Sequence, residues 1–186
     1  MTHRLRFMIA QLGPKPSGRD LLARLLSADD LPDGNWRKAD QRTWRTGASA
    51  TPWADRARET GSVTAMRSFR DWAERRGVWL EVIPLASAAD ARTALGDAGG
   101  LRLRNPWART VGESDVDTEP FAGASEVWAH EYHYTINGIH GTTLMVAGAV
   151  EAFVVVVAAS GQSWDWPSVS SLAALQARRL REEAIR

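Results

Sequence analysis

With 186 residues, 44% of them hydrophobic and 24% charged, the chain has ordinary globular composition and enough length to bury a core as a single domain over 1–186. This excludes wholesale disorder and collagen-like structure. Lys plus Arg (23) and Asp plus Glu (22) leave a formal net charge of +1, so no charge excess points to nucleic acid or an anionic membrane. The absence of cysteine removes disulfides, thiolate nucleophiles and cysteine-ligated zinc together.

Arg4 and Arg6 precede an apolar run over 7–10. A secretory signal needs an apolar stretch of about 7–15 residues and a small-residue cleavage site. This run is shorter, and Pro14 and Pro16 follow it, so a cytoplasmic location is expected. The apolar run over 152–159 is too short for a transmembrane helix, which needs about 20 residues. Residues 4–12 read as an opening strand, 13–18 as a proline-glycine break, and 19–26 as a short helix with Leu21, Leu22, Leu25 and Leu26 on one side. A turn cluster at 27–34 leads to a strand at 35–46, and Pro52 marks a short helix over 51–59.

The segment 62–76 is open between two readings. Val63, Met66, Phe69 and Ala73 fit helical spacing, and Val63, Ala65 and Phe69 fit strand alternation less well. Residues 78–85 form a strand apolar on both faces, so covered on both. A serine-capped helix follows at 87–97, then a long loop over 105–123. Residues 126–137 make the next strand, with Trp128, His130, Tyr132, Tyr134 and Ile136 on its even face. Asn137-Gly138 signals a hairpin turn, which His140-Gly141 would lengthen. Strands at 142–147 and 153–159 join around Gly148. After a turn at 161–167, a helix over 167–185 carries Val169, Leu172, Ala173, Gln176 and Leu180 near one stripe. Strands joined by tight turns, with helices between, predict an α+β fold: a mainly antiparallel sheet flanked by helices.

Several motifs fail on inspection. Gly13 and Gly18 have phosphate-loop spacing, but Arg19 and Asp20 stand where Lys and Ser or Thr are needed, and Pro14 and Pro16 remove amide donors. In the run from His130 to Tyr134, Tyr134 replaces the second histidine of the zinc-protease signature. A strand also sends His130 and His133 to opposite faces, and His140 lies beyond the turn. Carboxylates at Asp115, Asp117, Glu119 and Glu126 have calcium-loop spacing, but Pro120 occupies the glycine position. No Gly-x-Ser continues to a second glycine, and no dinucleotide-binding glycine fingerprint exists. No metal or cofactor is expected.

The nine tryptophans are the most unusual feature. Trp79 and Trp128 are expected in the core. Trp164 and Trp166 flank Asp165 as a lid on the sheet end or as a ligand or partner surface. Trp36-Arg37 and Trp44-Arg45 have the residue types that stack on bases, but without a basic excess nucleic acid is not expected.

Three segments carry a family resemblance. LLSADDLPDGNW at 25–36 resembles the opening of actinobacterial sensor-type domains, which occur as the extracellular part of some serine/threonine kinases and as lipoproteins. VWLEVIPLASAADARTAL at 78–95 is similar to their strand followed by a serine-initiated, alanine-rich helix, and FVVVVAASG at 153–161, followed by a helix, also fits. The resemblance implies an antiparallel sheet flanked by helices in the manner of PsbP-like α-β-α sandwiches, and a ligand- or partner-binding role without catalysis. The chain departs from it in lacking the cysteines some relatives pair, and no signal, anchor or kinase domain is expected. No binding residue transfers by motif.

The leading expectation is a non-catalytic binding domain using a cleft between the sheet and its covering loops. Trp128, His130, Tyr132 and Tyr134 line that cleft, with Trp36, Trp164 and Trp166 as its rim. The partner is a small apolar ligand or a protein, with no membrane. The rival reading is a small enzyme using His130 or His133 with Glu131, or an acid from Asp115 to Glu119. A third is a homo-oligomer pairing an aromatic patch with its copy.

Overall fold

The computed structural model describes residues 16–44, 53, 61–96 and 109–182. The expected strand at 4–12, and all but Trp53 of the expected helix at 51–59, lie outside these residues. Among these residues seven strands form one antiparallel sheet: β1 (Arg37–Trp44), β2 (Thr64–Asp71), β3 (Arg76–Pro84), β4 (Arg109–Asp115), β5 (Val127–Ile136), β6 (Ile139–Val150) and β7 (Phe153–Ser160). Their spatial order is β1-β2-β3-β7-β6-β5-β4. The helices α1 (Gly18–Arg24), α2 (Ala88–Gly96) and α3 (Trp166–Glu182) pack on it, so the architecture is α+β, as the element pattern implies.

The two faces of the sheet carry separate cores. On the first, α1 and α3 cover Phe69, Leu80, Val82, Leu144, Val146, Val155 and Val157 with Leu21, Leu25, Leu26, Val169, Leu172 and Leu180. On the second, α2 and Trp53 cover Ile83, Met145, Ala147, Val154 and Val156. Alternation sends successive strand residues to opposite faces, so β3 and β7, buried on both, read as nearly continuous apolar runs.

Side chains distant in sequence complete α1. Ser17 and Asp20 form a capping box at its start. In its last turn and just beyond, Arg67 donates to the carbonyls of Leu22, Leu25 and Leu26 at 2.8–3.0 Å. Gln176, fully buried on α3, accepts from the Leu26 amide (3.0 Å) and donates to the Arg24 carbonyl (2.9 Å). A seven-residue helix cannot satisfy its own last carbonyls, so the opposing strand and helix do it.

One open reading is settled and two expectations are corrected. The ambiguous 62–76 segment is strand β2 followed by a turn, not a helix. Ladders with β1 and β3 on both sides outweigh the helical spacing, and burial on both faces blurs the alternation. The long loop expected over 105–123 contains strand β4. An exposed edge strand can form without the apolar alternation used to find strands. Gly148 lies inside β6, not at a turn. The turn is Glu151-Ala152, with Glu151 at φ 52° and Val150 opposite Phe153. Gly148 serves close approach instead, because a Cβ there would run into the Phe121 ring. Asn137 (φ 51°) and Gly138 (φ 80°) do make a two-residue hairpin turn between Ile136 and Ile139.

Candidate functional site

The aromatic row of β5 lies on the α2 side of the sheet. Trp128 stacks on His130 at 5.1 Å between ring centroids and 15° between planes. His130 in turn meets Tyr132 at 4.3 Å. Trp53 packs edge-on against Trp128 at 5.7 Å and donates its Nε1 hydrogen to the Ala94 carbonyl at 2.9 Å. His130 and Tyr132 are buried and Trp128 is half-buried. Tyr134, further along the strand, lies across Gly141 of β6, leaving no room there for a side chain.

Register places Asp115 of β4 opposite His130, and His130 Nδ1 lies 2.6 Å from Asp115 Oδ1. Glu113 approaches from the other side, with Oε2 4.0 Å from His130 Nε2. That nitrogen is buried and has no hydrogen-bond partner among the described residues. On the opposite face, His133 Nε2 is 3.3 Å from Glu131 Oε1. The two histidine–carboxylate pairings thus sit on different sides of one strand.

The first face holds an open cleft of about 480 Å³. Glu131, Thr142 and Leu144 from β5 and β6 line one side, and the segment 161–167 lines the other. Trp164 and Trp166 project from that segment, half-buried against the core below. Trp164 meets Trp36 at 6.0 Å, and the Arg76 guanidinium lies over the Trp36 ring at 4.7 Å. Arg76 is also paired with buried Asp71 at 3.1 Å. Burial alone would raise the Asp71 pKa. Hydrogen bonds from Arg76 and from the Glu74 and Asn35 amides, with the guanidinium charge, outweigh it and hold the carboxyl below its usual range.

Asp165 begins α3. Its Oδ1 accepts the Ser168 amide at 2.9 Å, and its carbonyl accepts the Val169 amide at 3.1 Å. Hydrogen bonding to Ser168 keeps its carboxyl below the usual range and so ionised at neutral pH.

The seven aromatic residues singled out in the sequence therefore fall into two groups. Trp36, Trp164 and Trp166 belong to the first face, with Trp164 and Trp166 lining the cleft. Trp128, His130 and Tyr132 belong to the second, and Tyr134, two residues further along β5, shares their side of the strand. The cleft residues Glu131, Thr142, Leu144 and Asp165 went unrecognised as a group, because they meet only through the β5–β6 register and the return of the chain after β7. Trp53 was also missed as the cover of the aromatic row. His133 and His140 share a face away from His130, and each accepts or donates at a threonine hydroxyl, Thr142 and Thr135. Among the described residues no group of three His, Asp or Glu side chains is arranged to hold a metal ion, and no helix is long and apolar enough to cross a membrane.

No protein-family model and no curated protein sequence matches the chain. Its fold is similar to the crystal structure of the extracellular domain of PknH from Mycobacterium tuberculosis. The TM-score is 0.61 at 12% sequence identity, and the match covers 90% of this chain and 98% of that one. At that identity the likeness shows the fold alone.

Proposed function

We propose that the chain is a non-catalytic ligand-binding domain, one unit over 1–186, whose site is the cleft between the β5–β6 ladder and the segment entering α3. One observation carries this reading: a cleft of about 480 Å³ walled by two indoles and furnished with polar side chains. Small-molecule sites have this size, about 300–1,000 Å³, and this mixture of apolar wall and few polar groups. The Trp164 Nε1 hydrogen is buried with no partner among the described residues, a cost the protein carries beside the cleft. Likeness to the PknH extracellular domain and the resemblance to sensor-type domains support binding over catalysis. We extend the same reading to a PsbP-like, actinobacterial relationship. We extend it also to a cytoplasmic location, which cell fractionation tests.

The test is intrinsic tryptophan fluorescence with thermal shift across a panel of small apolar and amphipathic ligands. A ligand that binds only the native state raises Tm. The expected result is a shift that disappears in Trp166→Ala. Silence across the panel, or a shift that survives the substitution, overturns the reading.

The His130–Asp115 pair favours a second reading, a small enzyme, because a histidine oriented by a carboxylate is the usual proton carrier near neutral pH. It lies on the face away from the cleft. Turnover of an ester or phosphoester panel that is lost in His130→Gln supports this reading, and no turnover favours binding.

A further inference from the structure

Resting on the binding reading above, we infer that the cleft selects a small organic cation, an amine or quaternary ammonium group on an apolar body. The chain as a whole is balanced in charge, but the cleft is not. Its described lining carries two carboxylates, Glu131 and Asp165, and no lysine or arginine. Two indoles share the lining with them, and an indole face attracts a cation through its quadrupole. The same aromatic cluster already holds one cation in this way, Arg76 over Trp36, with Trp36 packed against Trp164.

The alternative occupant is an anion, because α3 begins at the cleft and a helix N-terminus attracts negative charge. Three of the first four amide positions at that end are closed to anions. Pro167 has no amide hydrogen, the Ser168 amide is held by the Asp165 carboxylate, and the Val169 amide is held by the Asp165 carbonyl. The capping carboxylate also puts a negative charge where an anion would need to sit. His133, 3.3 Å from Glu131, is the one other titratable group on this wall that contacts a lining carboxylate through a described ion pair.

The probes are benzyltrimethylammonium, its uncharged analogue with a tert-butyl group in place of trimethylammonium, and phenylacetate. Binding is read by tryptophan quenching and thermal shift in the wild type, Glu131→Gln and Asp165→Asn. Both variants keep shape, and asparagine caps a helix about as well as aspartate, so folding is preserved. The expected result is that the ammonium probe binds roughly tenfold or more tighter than its uncharged analogue. Phenylacetate should not bind, and each variant should weaken the ammonium probe by roughly three- to tenfold. Equal binding of the charged and uncharged probes, or ammonium binding that survives both variants, overturns the cation assignment and leaves the binding reading standing. Preference for phenylacetate does the same. No binding by any probe overturns the cation assignment, and silence across the wider ligand panel as well overturns the binding reading itself.

Discussion

The imidazole of His130 is clasped by the carboxylate of Asp115 at 2.6 Å across the β4–β5 ladder. This contact joins a buried histidine in the aromatic row to the outermost strand of the sheet. β4 is exposed along nearly its whole length, and its one large apolar residue, Val111, is 55% exposed. Such a strand gains little from burial, so its ladder and this clasp hold it. Asp115→Ala is expected to raise amide hydrogen exchange across β4 while β3 and β7 keep their protection, since edge elements open locally without global unfolding. Unchanged exchange in β4 would show that the clasp contributes nothing.

Gln176 is expected to matter for stability more than its residue type suggests. Its side chain joins the end of α1 to α3 through two hydrogen bonds, one buried and one part-buried. Gln176→Ala leaves the Leu26 amide and the Arg24 carbonyl without these partners, at a cost of about 2 kcal/mol. That corresponds to a Tm lower by about 4–8 °C for a chain of this size. A loss below one degree in a thermal melt would refute the estimate.

The Asp71–Arg76 pair sets an acid limit. The Asp71 carboxyl is held below its ordinary pKa in the folded state. Its stabilisation is therefore fully present above the ordinary aspartate value, about 3.9. It is lost as pH falls through the lowered folded value. Asp71→Asn is expected to lower Tm at neutral pH, and the gap from wild type should shrink as pH falls below about 4. Melting both proteins across that range checks the sign. A gap that widens in acid contradicts it.

Gly148 is expected to resist substitution although its backbone needs no special conformation. A Cβ there meets the Phe121 ring and approaches Ala124 at 3.1 Å, so Gly148→Ala must displace Phe121 from its buried position. Overpacking of this kind costs about 1–3 kcal/mol, and denaturant unfolding measures it. A second substitution, Phe121→Leu, should partly relieve the cost if the clash is its cause.

Much of the architecture was legible because local chemistry and burial agreed. The strand over β3 and the valine run of β7 announce a doubly covered sheet centre. Ser87 announces α2, its hydroxyl taking the Asp90 amide at 3.1 Å, and Asn137-Gly138 announces the β5–β6 turn. β2 was harder because it is buried on both faces near its start, at Thr64, Ala65 and Met66, so its apolar spacing matches neither period cleanly. β4 was hidden because an edge strand beside solvent needs backbone partners and not an apolar face.

The site divides in the same way. Sequence by itself determined the α+β class, the Ser87 helix cap, the tight turn and the rows of aromatic residues, since each depends on neighbours a few positions apart. Only the tertiary structure decided that Trp164 and Trp166 line one cleft with Glu131 and Thr142, while His130 and Tyr132 face the other way. Those contacts depend on strand register and on which face of the sheet a loop returns to. A single-residue change of register reverses every side chain along a strand. That choice is made by the burial of two separate cores, on which no short run of residues carries the information.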